Sequence, residues 1–174
     1  MWAVFYEKVW AKVTGNYQNT FDGLGLHAFD LLLGAPGEII NMTNIRVGYS
    51  SVSLLNAGLN AFNIIKTAIT TNNYLVTVKT KISKKKCSSN NLVYDKTYSA
   101  LETYSLVDGA KTYNLIRLRN PWGVESCNNK SYTGNWNDGD TAHWTINHIA
   151  EVPSYLNKND GIFFMEASDF VQNF

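Results

Sequence analysis

A chain of 174 residues, 45% apolar and 13% aromatic with 17% charged, is long enough to bury a core and too rich in large side chains to remain disordered. Its net charge of +1 gives no electrostatic reason to expect nucleic acid or an anionic membrane as a partner, and Lys84-Lys85-Lys86 is too short a run to change that. No apolar run approaches the roughly 18 residues of a membrane helix, and Met1 to Lys8 lacks the features of a signal peptide.

In chain order, Val4, Phe5, Val9 and Val13 recur at helical spacing, with Glu7, Lys8 and Lys12 between them. They predict a helix over Trp2 to Val13, stopped at Gly15. Leu26 to Leu33 reads as a short buried helix, ended by the breaker cluster Gly34-Ala35-Pro36-Gly37. Leu54 to Thr70 reads as an amphipathic helix with Leu55, Leu59, Phe62, Ile65 and Ile69 on one side. The period then becomes two. Tyr74 to Val78 reads as a strand and Ser83 to Asn91 as a polar loop. Leu92 to Val107 and Thr112 to Arg119 form a hairpin around Asp108-Gly109. Ser126 to Thr141 is an ordered loop carrying Trp136, Ile162 to Met165 a last strand, and Glu166 to Val171 a closing helix. Helices first and antiparallel strands after make an α+β domain whose sheet can curl into a barrel, and no linker or domain boundary stands out.

Cys87 and Cys127 both lie in polar, loop-like surroundings. They are expected to be exposed thiols in a reducing compartment, which makes the cytoplasm the default location. The triplets beginning at Asn41 and Asn129 fit the glycosylation pattern but are expected to be chance matches in an Asn-rich chain.

The segment Leu115-Ile116-Arg117-Leu118-Arg119-Asn120-Pro121-Trp122-Gly123 resembles the strand and turn that carry the catalytic Asn of calpains, which are papain-like cysteine proteases with a Cys-His-Asn site. Phe5 to Val13 with Gly15 and Tyr17 is similar to the family's Leu-Glu-Lys-Ala-Tyr-Ala-Lys-Leu helix and its Gly-x-Tyr stop. Leu31 to Gly34 matches an Asp-Leu-Thr-Gly region loosely. Tyr132 to Asp138 resembles Trp-x-Gly-x-Trp-Ser-Asp, and Asp160 to Met165 with Asp169-Phe170 resembles the Asp-Gly-Glu-Phe-Trp-Met…Asp-Phe ending. The resemblance implies a papain-like fold: the second, barrel-like, His/Asn-side subdomain of a calpain core over residues 1–174, with helices at its start. It also implies a piece of a longer chain, whose partner is a Cys-bearing subdomain in the same or another chain.

The same resemblance assigns the site. Asn120 takes the place of the Asn that orients the imidazole, and Trp122 that of the indole shielding the His-Asn pair. Reading back from Asn120, the family's Gly-His-Ala-Tyr-Ser-Val falls on Asp95-Lys96-Thr97-Tyr98-Ser99-Ala100, so Lys96 stands in the His slot. A lysine with an ordinary pKa of about 10.4 donates but does not accept at neutral pH, and the neighbouring Asp95 is expected to favour its charged form. The family's Gly-x-Cys-Trp nucleophile turn is absent from the sequence, and neither Cys87 nor Cys127 has its context. His27, His143 and His148 are expected to be surface or packing residues. Calpains also bind calcium here through carboxylates. Asp138 and Asp160 match two such positions, Glu125 sits one place early before an insertion of Cys127 to Ser131, and Ile162 replaces a third carboxylate, which leaves a degraded site.

These residues imply a calpain-like pseudoprotease subdomain that binds a protein or peptide in a regulatory role. The alternative is a fragment of an active calcium-dependent endopeptidase lacking its Cys-bearing half. A third class, a carbohydrate or small-ligand module using exposed Trp122, Trp136 and Trp144, stands behind both.

Overall fold

The structure, a computed structural model, describes residues 2–20, 23–42, 54–124, 127 and 131–174. It divides into two compact units, Met1–Ile40 and Asn41–Phe174, a division that no linker in the sequence announces.

The first unit holds α1 (Trp2–Thr14), a 3-10 turn (Gln18–Thr20) and α2 (Gly25–Leu33). The stop signals work as their chemistry requires. The Thr14 hydroxyl donates to the Trp10 carbonyl at 2.9 Å, and Gly15 follows at φ +98°. Gly34 closes α2 at φ +59°, its N–H donating to the Asp30 carbonyl at 2.8 Å. Burial is sparse in both helices. Ala11 is the only buried residue of α1, and the stripe of Val4, Phe5, Val9 and Val13 is exposed. No residue of α2 is buried, and Leu32 and Leu33 are exposed, so the short buried helix expected there is a surface helix. A unit this small has too little volume to enclose both faces of two helices.

The second unit begins with α3 (Leu54–Lys66), which runs on into a π-helical turn (Thr67–Thr71). Four antiparallel strands follow in the order β1 (Val76–Lys79), β2 (Thr97–Asp108), β3 (Lys111–Arg119) and β4 (Ile162–Glu166), with α4 (Ile146–Glu151) and α5 (Ala167–Asn173). Mixed helix and antiparallel sheet make the α+β class, as expected. The expected hairpin is β2–β3 about Asp108 and Gly109, although Leu92 to Lys96 precede the strand rather than belonging to it.

Each face of the sheet carries its own core. On one, Tyr98, Ala100, Ile116, Leu118, Phe163 and Met165 pack with Ala57, Ala61, Phe62 and Ile65 of α3 and with Phe170, Val171 and Phe174. The α3 stripe is therefore narrower than its periodicity suggests: Leu59 is exposed, and the Leu55 side chain lies outside the described residues. The small residues let α3 approach closely. A Cβ on Gly58 would stand 2.8 Å from the Ala167 carbonyl carbon and 2.9 Å from the Ser168 nitrogen.

On the other face Leu106, Leu115 and Phe164 pack with Trp136, Trp144 and Val152. The change of face along β2 has a visible cause. Tyr98 and Ala100 point to the helices, and an uninterrupted period of two would send Glu102, Tyr104 and Leu106 there as well. The register slips between Ala100 and Glu102, and this bulge turns the rest of the strand to the tryptophan side.

Candidate functional site

Lys96 immediately precedes β2 and Asn120 immediately follows β3. Ser99 pairs with Arg119, so both residues lie at the end of the hairpin away from the Asp108 turn. Residue 96 is fixed through its backbone. Its N–H donates to the Thr80 hydroxyl oxygen at 3.0 Å, and its carbonyl accepts from the Thr80 N–H at 3.0 Å and the Thr80 hydroxyl at 3.1 Å. Thr80 is buried just beyond β1 and also donates to the Val93 carbonyl at 2.8 Å. Tyr98, two residues on, accepts the Val93 N–H at its phenol oxygen, 3.2 Å away. The Asp95 carboxylate forms an ion pair with Lys79 at 3.0 Å.

Asn120 is 4% exposed and continues the phase of Ile116 and Leu118. Its N–H donates to the Gly161 carbonyl at 2.7 Å, its side-chain oxygen accepts the Trp122 N–H at 3.1 Å, and its carbonyl accepts the Gly123 N–H at 3.1 Å. The Asn side chain thus closes its own turn. Gly161 is required beneath it, since at φ +84° an added Cβ would lie 2.9 Å from Val124 N and 3.0 Å from the Asn120 carbonyl oxygen. Trp122 is 52% exposed. A shielding indole needs a surface to close against, and the described residues leave about half of this one open. Trp136 and Trp144 are buried in the second core, which removes two of the three indoles a carbohydrate module would display.

The histidines sit where packing puts them. His27 is on the exposed side of α2. His148 is buried in α4, with Nδ1 2.7 Å from the His143 carbonyl oxygen. His143 holds the Asp140 carboxylate at 2.6 Å, and the other contact of that oxygen is the Trp136 N–H at 2.9 Å. Burial alone would raise the Asp140 carboxyl, but the Trp136 N–H and the His143 ring outweigh it and hold it below the ordinary carboxylate value. A second polar knot lies beside the bulge. Glu102 accepts from Ser154 at 2.7 Å, from Tyr104 at 2.9 Å and from Arg117 at 3.2 Å. These bonds overcome burial and keep its carboxyl below the ordinary value.

Asp138 and Asp160 do come together, lining one small cavity of about 10 Å³ with Arg117, Ser154, Leu156, Ile162 and Phe164. The lining does not fit calcium, which takes six to eight oxygens. Asp138 already accepts the Lys158 N–H at 3.4 Å and Asp160 the Ile162 N–H at 3.0 Å. Arg117 brings a positive charge, and Ile162 brings no oxygen. No cluster of three His, Cys, Asp or Glu among the described residues is placed to hold a metal. Glu125, Ser126 and Asn129 lie outside the described residues.

The expectation of two exposed loop thiols is corrected by the structure. Cys87 and Cys127 form a disulfide with Cα atoms 6.1 Å apart, and Cys127 is 1% exposed. Composition hides this, because the partners are 40 residues apart and only the hairpin between them brings them together. Thr80 and Gly161, which frame residues 96 and 120, carry no chemical signature that would mark them in the sequence. No helix among the described residues is long and apolar enough to cross a membrane.

Comparison with known proteins identifies the family. The model of the calpain family of cysteine proteases matches residues 1–174. The chain is 27% identical to calpain-13 of Rattus norvegicus and 26% identical to calpain-12 of Homo sapiens, in each case over 99% of its own length and 24% and 22% of theirs. It is 28% identical to calpain-8 of Homo sapiens, again over 99% of itself and 23% of that protein. The chain therefore spans about a quarter of the length of these relatives. Along its whole length, it belongs to the calpain family of cysteine proteases.

Proposed function

We propose that this chain is the second, His/Asn-side subdomain of a papain-like calpain core, and that Lys96 makes it catalytically silent. Its role is then to bind a protein or peptide, with a Cys-bearing subdomain, in the same or another chain, as the surface that closes over Trp122. The observation that carries this reading is the placement of Lys96 and Asn120 at the same end of the hairpin, just outside the Ser99–Arg119 pair, at positions where by resemblance the family has His and Asn. Lysine lacks the imidazole's paired donor and acceptor nitrogens, whereas the Asn turn beside it is intact. The barrel-like form of the subdomain and a cytoplasmic location belong to the same proposal.

The second reading, part of an active endopeptidase, is favoured by the intact Asn120 turn. One experiment separates the two. The chain is combined with a calpain-type Cys-bearing subdomain, association is measured by sedimentation, and hydrolysis of a fluorogenic peptide is followed. The wild type associates without turnover, and Lys96→His brings turnover up. Wild-type turnover that disappears in Lys96→Ala would overturn the silent reading. Loss of a triad base costs about a million-fold in turnover in a comparable site, so even partial recovery is readable.

A further inference from the structure

We propose that the lysine-rich arm at the margin of the sheet, residues 79–96, is a docking surface for an acidic segment of a protein partner. The inference deepens the binding role proposed above and rests on it. Its test measures binding without turnover, so a failure of the silent reading leaves the outcome unmoved. The cue is an asymmetry of charge. Six of the fifteen Lys and Arg side chains lie in this stretch, against one of the fourteen Asp and Glu, in a chain whose net charge is +1.

Folding gathers these charges rather than spreading them. β1 is an outer strand of the four described, and Lys79 at its end pairs with Thr97. Beyond it, the Lys81 carbonyl accepts the Asp95 N–H at 3.0 Å and the Lys86 carbonyl accepts the Tyr94 N–H at 3.0 Å. Residues 79–86 therefore run back along 94–97, and all six lysines fall on one two-stranded arm.

Within the arm the lysines differ. Lys79 pairs with Asp95 at 3.0 Å and the Lys81 ammonium donates to the Gln172 carbonyl, so these two are engaged in the fold. Lys84, Lys85 and Lys86 are exposed and form no ion pair with a carboxylate among the described residues. Their backbone is nevertheless fixed. The Ser83 hydroxyl oxygen accepts the Lys85 N–H at 3.1 Å, and Cys87, next in the chain, bridges to Val93 and is joined to the buried Cys127. A cationic run whose backbone is already set loses less freedom on meeting carboxylates than a loose tail would.

Ile82 decides the class of partner. It is 83% exposed and stands just before the run. A phosphate chain offers an apolar side chain nothing to pack on, and a chain so close to neutral has no long-range field for a polyanion or an anionic bilayer. A peptide that carries an apolar residue beside its carboxylates meets both Ile82 and the three ammonium groups.

The test uses the full chain and a fluorescein-labelled peptide of Glu, Leu and Gly, with a second peptide carrying Gln for Glu, read by fluorescence anisotropy and backbone-amide NMR. The acidic peptide binds and the Gln peptide does not. Amide signals of Ile82, Ser83 and Lys84 to Lys86 shift, and those of Leu115 and Ile116 stay in place. Lys84→Gln with Lys85→Gln and Lys86→Gln weakens binding about tenfold, as three exposed ion pairs would, and added salt weakens it in the wild type. Ile82→Ser weakens it as well, and the Leu115 and Ile116 signals report that both variants keep their fold. Failure of the acidic peptide to bind, equal binding of the two peptides, or a Gln variant that binds like the wild type would each overturn the proposal. Tighter binding of a thymidine oligonucleotide or of phosphatidylserine vesicles than of the acidic peptide would overturn it too.

Discussion

Removing the disulfide has a stability cost that can be worked from its place in the chain. A cross-link between residues 40 apart restricts the unfolded ensemble by a loop-closure entropy of roughly 13 cal/mol/K, which is about 4 kcal/mol at 25 °C. The variant to compare is Cys87→Ser with Cys127→Ser. Serine is preferable to alanine at 127 because the Lys86 carbonyl can accept its hydroxyl in that enclosed position. For a chain of this size each kcal/mol moves the melting temperature by about 2–4 °C, so the double variant should melt roughly 8–16 °C lower. Calorimetry of the variant, of the oxidised wild type and of the wild type in dithiothreitol checks it, with the last two separated by the same interval. A fall of only a degree or two in both comparisons would refute the reasoning. It would mean that the unfolded chain already holds the two loops together, or that the native bond contributes no constraint.

Gly58→Ala should destabilise by about 1–3 kcal/mol, because the new methyl meets the backbone of Ala167 and Ser168 rather than a side chain that can swing aside. Urea unfolding measures it, and a neutral result would show that α3 and α5 can separate without loss. Asp140→Asn should weaken the Trp136 loop in a pH-dependent way. The wild-type carboxyl sits below its ordinary value, so its contribution is full above about pH 4 and disappears as the pH falls through the lower folded value. Tryptophan-fluorescence unfolding should therefore show wild type and variant separated at pH 6 and converging towards pH 2. A gap independent of pH would remove the carboxylate from the account.

Most of the frame was legible because its signals are local. Gly15 and Gly34 end helices by backbone geometry, and Asp108-Gly109 turns the hairpin. The Asn-Pro-Trp-Gly run marks the turn after β3. What escaped depends on contacts distant in sequence. The bulge after Ala100 is invisible to periodicity, yet it decides which core Tyr104 and Leu106 join. Leu26 to Leu33 read as a buried helix because its residues are apolar, which says nothing of what covers them. The helix α4, six residues begun by the Thr145 hydroxyl accepting the His148 N–H, is too short for a periodic signal. The disulfide failed for a different reason: polar neighbours describe how a cysteine's surroundings read, not where folding carries it.

The way residue 96 is held bears on what its side chain is for. Thr80 grips the N–H and carbonyl of that residue, and Gly161 and the Asn120 side chain grip the opposite turn, so these bonds do not call for any particular side chain at 96. Tyr98, two residues on, contributes through its side chain as well, accepting the Val93 N–H. At 96 the protease family the chain belongs to supplies an imidazole by resemblance. Lys96→His keeps the backbone bonds to Thr80 and is expected to alter the chemistry, and its melting temperature shows whether the fold is kept. Reading fold and chemistry separately makes the rescue informative. If Lys96→His melts like the wild type, associates with a Cys-bearing subdomain and still turns over nothing, the silence lies elsewhere at this end of the sheet, and Lys96 is not its cause.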